Sequence, residues 1–118
     1  MGFREQLEEI CRVDGAVAAS IMGFDGIAIE TVTARESDLD VETLMVEYSG
    51  LIGQVRQAAE MMQAGALTEV SIGTEQLTTH LRPINDDFFL VLAMSPDGNT
   101  GKGRYLLRVT APRLVGEL

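Results

Sequence analysis

The sequence predicts a mixed α/β domain in which a five-stranded, mostly antiparallel sheet lies between helices, with elements in the order αββαβββα along residues 1–118. Three observations carry that prediction. A long amphipathic stripe runs from Val41 to Met62. An Asp25-Gly26 pair separates two short apolar runs, and Phe88–Met94 is apolar without interruption. A strand that is apolar on both faces must be covered on both, so the last of these belongs at the centre of a sheet.

Each element has its own pattern. Phe3, Leu7, Ile10 and Cys11 stand at i, i+4, i+7 and i+8, one stripe of a short helix that Asp14-Gly15 closes. Residues 16–22 and 27–32 flank Gly23-Phe24-Asp25-Gly26 and read as two strands joined by a two-residue type I′ turn. Residues 33–40 are polar, and Asp38 or Asp40 can cap the next helix. Val41, Leu44, Tyr48, Leu51, Val55, Ala58 and Met62 recur every three or four positions, and Met45, Ile52, Ala59 and Met61 widen the stripe. They predict a helix of about 25 residues, roughly 37 Å long, ended by Gly65. Three strands without an intervening helix come next, at 67–74, 77–84 and 88–94, and the turns 75–76 and 85–87 join them. A last helix spans 102–111, with Tyr105, Leu106 and Val109 on its apolar side and Pro112 limiting its end. Joining the hairpin to the three-strand meander through the central strand gives the order 2-1-5-4-3. The long helix then covers one face and the terminal helices the other.

Composition narrows the function. The chain has 118 residues, 46% of them hydrophobic, enough for one domain with a real core and no sign of disorder. Its formal charge of −9 repels phosphate backbones and anionic lipids, so nucleic acid and membrane partners are not expected. The single Cys11 forms no internal disulfide and fits a reducing compartment. The start Met1-Gly2 has Gln6 where a myristoylation motif needs Ser or Thr. The first residues become charged at once, and no apolar run approaches the ~20 residues of a membrane span; cytoplasmic is the expectation.

No catalytic, cofactor or metal set emerges. Pro96–Gly103 lies where a phosphate loop would sit, but Pro96 replaces the first glycine and Gly103 the metal-binding hydroxyl. His80, the sole histidine, has no nucleophile pattern to serve and reads as a surface or sheet-face residue. Asp38, Asp40 and Glu42 are too few for a calcium loop. The expected sites are therefore protein surfaces. Phe24, Asp25 and Ile27 at the hairpin tip form a candidate partner-binding anchor. Tyr48, Leu51, Ile52, Val55, Ala59 and Met62 on the long helix, with Val70 and Ile72 on an edge strand, form a candidate homodimer interface. Gly50 and Gly53 weaken that helix by about 1 kcal/mol each, which close approach of a second backbone would explain. From Asp25 to Glu47 there are seven acidic residues against Arg35 alone, whereas the last 17 residues hold four of the nine basic ones. An acidic hairpin end would steer a basic partner.

The run Val13-Asp14-Gly15-Ala16-Val17-Ala18-Ala19-Ser20, leading into Gly23-Phe24-Asp25-Gly26-Ile27, resembles the roadblock/LC7 family. The polar loop before the long helix and Gly103-Arg104-Tyr105-Leu106-Leu107-Arg108-Val109 extend the resemblance over nearly the whole chain. It is nearest the bacterial branch of MglC and MglB type. The resemblance implies a profilin-like three-layer sandwich and a homodimer joined through the third strand and long helix. It implies an adaptor that binds another roadblock protein and regulates a small Ras-like GTPase of cell polarity and motility. Direct stimulation of GTP hydrolysis is the alternative within the family. A ligand sensor or enzyme on a similar sandwich is the alternative outside it.

Overall fold

The structure is a computed structural model that describes residues 2–118; Met1, part of the Met1-Gly2 start, lies outside them. The elements are α1 (Phe3–Ile10), β1 (Ala16–Gly23), β2 (Ala28–Thr33), α2 (Val41–Met61), β3 (Val70–Gly73), β4 (Thr78–Pro83), β5 (Phe88–Met94) and α3 (Thr100–Leu114). A 3-10 turn, Val115–Glu117, comes after α3. The sheet order is β2-β1-β5-β4-β3, as the sequence predicts, and every neighbouring pair is antiparallel.

Two cores lie back to back across the sheet. On one face Val17, Ala18, Met22, Phe89, Val91 and Ala93 pack against Val41, Met45 and Ile52 of α2. On the other, Ala19, Ile21, Leu90, Leu92 and Met94 pack against Leu7 and Ile10 of α1 and Leu107, Ala111 and Leu114 of α3. β5 alternates large side chains between the two cores, which is why its sequence is apolar throughout.

Several local features differ from the sequence reading. The β1–β2 connection turns through Phe24, Asp25 and Gly26, because Gly26 N donates to Gly23 O (3.0 Å) and Gly23 N to Ile27 O (2.8 Å). Only Gly26, at φ 88°, is left-handed there, so Phe24 and Asp25 form an ordinary turn followed by a glycine bulge rather than a type I′ turn. Ile27 consequently sits in the loop and β2 begins at Ala28. Asp40 does cap α2, accepting from Thr43 N at 3.1 Å. That helix has 21 residues, not 25, and closes at Gln63, whose φ of 54° lets Ala64 N reach Ala59 O at 3.0 Å.

Its buried row is Val41, Met45, Ser49 and Ile52, one side of the wide stripe read in the sequence, while Leu44, Tyr48 and Val55 are only half-buried. The hairpin tip abuts the helix, and a Cβ on Gly26 would meet Ser49 Oγ at 3.3 Å, so a small residue is needed where the stripe meets the turn. β3 is only four residues long, and α3 is longer than expected at both ends. Asn99 caps α3, and Pro112 stands inside its last turn. There the lost amide costs little, because Pro112 and Arg108, whose carbonyl loses its partner, both stand on the exposed side of the helix. α3 buries Gly103, Leu107, Thr110, Ala111 and Leu114, which turns Tyr105 outward.

Candidate protein-interaction site

The hairpin tip and the α2–β3 margin gather the residues that the sequence proposes. Phe24 is half-buried and packs its ring 5.2 Å from that of Phe89, at 59°. Arg56 of α2 lies over the other side of the ring, its Cζ 3.6 Å from the centroid, while its Nη1 donates to Asp86 O at 2.7 Å. Phe24 N also donates to Asp87 O. The ring thus pins the tip to α2 and to the β4–β5 turn. Asp25 is exposed, and its Oδ1 accepts from Ile27 N at 3.0 Å. The Ile27 side chain itself is 68% exposed, with no core contact among the described residues to hold it inward. Ile29 and Val46 are exposed nearby, and a cavity of about 290 Å³ opens between β2 and α2, lined by Met22, Ala28, Met45, Val46 and Glu42. Sequence reasoning misses Val46 and Arg56, since only the tertiary fold lays the hairpin against α2.

The α2–β3 margin is divided. Ile52 is 1% exposed and belongs to the core of its own subunit. Tyr48, Val55, Ala59, Val70 and Ile72 are half-buried, whereas Leu51 is 40% and Met62 78% exposed. β3 pairs only with β4, which leaves its outer edge open. A Cβ on Gly50 or Gly53 would meet nothing within 4 Å among the described residues, so no contact among them requires either glycine.

The remaining chemistry is structural. In the loop before α3, the amides of Ser95, Gly98, Asn99 and Gly103 donate to backbone carbonyls and that of Lys102 to the Asn99 side chain, so they are not free to cradle a phosphate. Burial pushes the Cys11 thiol up to about 11, far from a nucleophilic thiolate. Among the described residues no group of three His, Cys, Asp or Glu side chains could hold a metal ion, and no helix is long and apolar enough to cross a membrane.

His80 is not on the surface: it is 4% exposed, under α3, with Nδ1 2.8 Å from Ser71 Oγ. Burial, and then the positive charge of Arg104, lower its pKa below 6.5, while the Thr100 backbone and Glu69 oppose them. The unfolded chain takes up a proton near pH 6.5 and the folded chain resists it. His80 therefore contributes stability above that pH, which is lost as pH falls toward the depressed folded value. Melting temperatures from pH 7.5 down to 5.5 should fall more steeply for the wild type than for His80→Gln, which keeps a partner for Ser71 and cannot titrate. Parallel curves would show that His80 carries no such coupling.

Comparison with known proteins fits this geometry. The roadblock/LC7 domain model matches residues 2–93. MglC from Myxococcus xanthus is 49% identical, with all of both chains covered and a TM-score of 0.72. A gliding protein MglB from Thermus thermophilus is 19% identical over 96% of this chain and 85% of that one, with a TM-score of 0.83. A roadblock/LC7 domain from Streptomyces avermitilis, 12% identical over 99% of this chain and 98% of that one, superposes with a TM-score of 0.83. No curated protein matches the chain. With a family model spanning most of its length and a relative nearly half identical from end to end, this chain belongs to the roadblock/LC7 family.

Proposed function

We propose that the protein is a non-enzymatic adaptor of the cytoplasm: two copies join through α2 and β3, and their hairpin tips bind another roadblock/LC7 protein of MglB type. In this reading the assembly regulates a small Ras-like GTPase that controls cell polarity and motility. The observation that carries it is the 49% identity to MglC along the whole of both chains. The Thermus relative is named a gliding protein, which supports the link to motility. The surfaces are consistent with two separate contacts. Leu51 and Met62 are exposed on and just after α2, β3 has an open edge, and Ile27 projects from the hairpin tip near a mainly apolar groove between β2 and α2. Aliphatic groups so exposed gain most when a second protein removes them from water.

The test mixes the purified protein with each roadblock protein of its host and measures complex mass by light scattering. Ile27→Asp should weaken the complex about 30-fold, the effect of losing a hot-spot side chain of about 2 kcal/mol, with the dimer intact. Phe24→Ala is a poorer probe because it also removes the contacts to Phe89 and Arg56. Unchanged affinity for Ile27→Asp would remove the hairpin tip from the interface. Faster GTP hydrolysis by the host's small GTPase on addition of this protein alone would replace the adaptor reading with direct activation.

A further inference from the structure

Basic side chains are scarce in this chain, nine against 18 acidic ones, yet three of them meet in one place. Arg82 of β4 and Arg104 and Arg108 of α3 line a cleft of about 450 Å³, together with Glu69, Tyr105 and Gly101. The cleft exists because α3 packs on β4 and β5, so the α3 side of β3 stays uncovered, and because Gly101 adds no side chain to the cleft wall. Glu69, just before β3, accepts a hydrogen bond from Arg104 Nη2 and lies 3.8 Å from Arg82 Nη1. Arg104, with Arg82 and His80 nearby, holds the Glu69 carboxyl below its ordinary range. Arg108, one turn further along α3, has no ion pair among the described residues. Two guanidinium groups therefore share one carboxylate while the third, Arg108, lines the same cleft without such a partner, and this excess of positive charge favours the arrival of another anion.

We propose that this cleft binds an acidic segment of another protein, whose carboxylates bridge Arg104 and Arg108 while Tyr105, 55% exposed, receives the intervening aliphatic groups. The planar guanidinium fork matches a carboxylate, and the cleft already holds one in Glu69. A short acidic segment brings its charge to the arginines alone. A membrane surface or nucleic acid would also meet the rest of a chain whose net charge is −9. Glu69 acts as the resident competitor, which the incoming segment must displace or share. The cleft lies on the α3 face of the sheet and the hairpin tip packs on the α2 face, so the two surfaces can be occupied together.

The probe is a short fluorescein-labelled peptide alternating glutamate and leucine, followed by fluorescence anisotropy on the full chain at low salt. Arg108→Glu should weaken binding about tenfold, as reversal of one contacting charge does. Glu69→Gln should strengthen it several-fold, a gain that misfolding does not produce. Arg12→Glu, the same charge change on an exposed arginine outside the cleft, should alter affinity by no more than about twofold, since screened surface charges contribute little. Phosphatidylserine vesicles should show no binding that depends on Arg108. The proposal is overturned if the peptide does not bind, or if Arg12→Glu weakens it as much as Arg108→Glu. Failure of Glu69→Gln to raise affinity, or Arg108-dependent binding of vesicles without the peptide, would overturn it equally.

Discussion

Leu51→Glu should convert the proposed dimer into a monomer, lowering the scattering mass from twice 12.8 kDa to 12.8 kDa at micromolar concentration. The side chain is 40% exposed and lies outside the buried row of α2, so the substitution leaves each subunit folded. In a twofold interface every change occurs twice. Removing from a contact the exposed two-fifths of two leucines forfeits about 2 kcal/mol of apolar burial, which lowers the association constant by about thirtyfold before the burial of charge is counted. Two carboxylates placed near the axis would repel as well. A dimer that survived Leu51→Glu, with unchanged circular dichroism, would show that α2 is not its seam.

Gly98→Ala should destabilise the subunit by about 3 kcal/mol and lower its melting temperature by roughly 10 °C. A Cβ on Gly98 would lie 2.5 Å from Asp14 O and 2.7 Å from Gly15 Cα. Those atoms are backbone and cannot swing aside as a flexible side chain would. Gly15 is itself left-handed at φ 91°, and Ser95 N and Asn99 N donate to Gly15 O and Asp14 O. The contact therefore ties the entry of β1 to the entry of α3, and separating the two backbones would break both hydrogen bonds. Gly50→Ala makes the opposite comparison. It meets no neighbour in the subunit and should raise subunit stability by up to about 1 kcal/mol through helix propensity. If Gly50 lies where two helices cross, the same change weakens the dimer. A melting temperature for Gly98→Ala within experimental error of the wild type would remove the packing argument.

The pattern of agreement between sequence and structure reflects what each residue reports. β5 is legible to its last residue because a strand buried on both faces needs no partner's geometry to be recognised. Asp40 is legible as a cap because an N-cap is satisfied within the next turn. The sequence locates the hairpin but not its turn type, since Asp-Gly serves both a two-residue turn and a glycine bulge. It gives α2 a broad apolar stripe without deciding which row turns inward. The stripe is wide enough to admit two rows, and contact with Gly26 and the sheet selects the row containing Ser49. The alternation of its strand leaves His80 either at the surface or on a covered sheet face, and only the packing of α3 on that strand buries it.

Local periodicity, caps and turn residues determined by themselves the order of elements, because these depend on neighbours a few positions apart, and the doubly apolar run Phe88–Met94 then fixed the centre of the sheet. Tertiary structure alone decided which apolar side chains remain for a partner. Phe24 and Ile27 are three residues apart in one loop, yet the ring is clamped between Phe89 and Arg56 while the isoleucine projects into solvent. Their shared hydrophobicity could not separate them, because exposure depends on what the rest of the chain brings against each one, and α2 and the β4–β5 turn approach only the first.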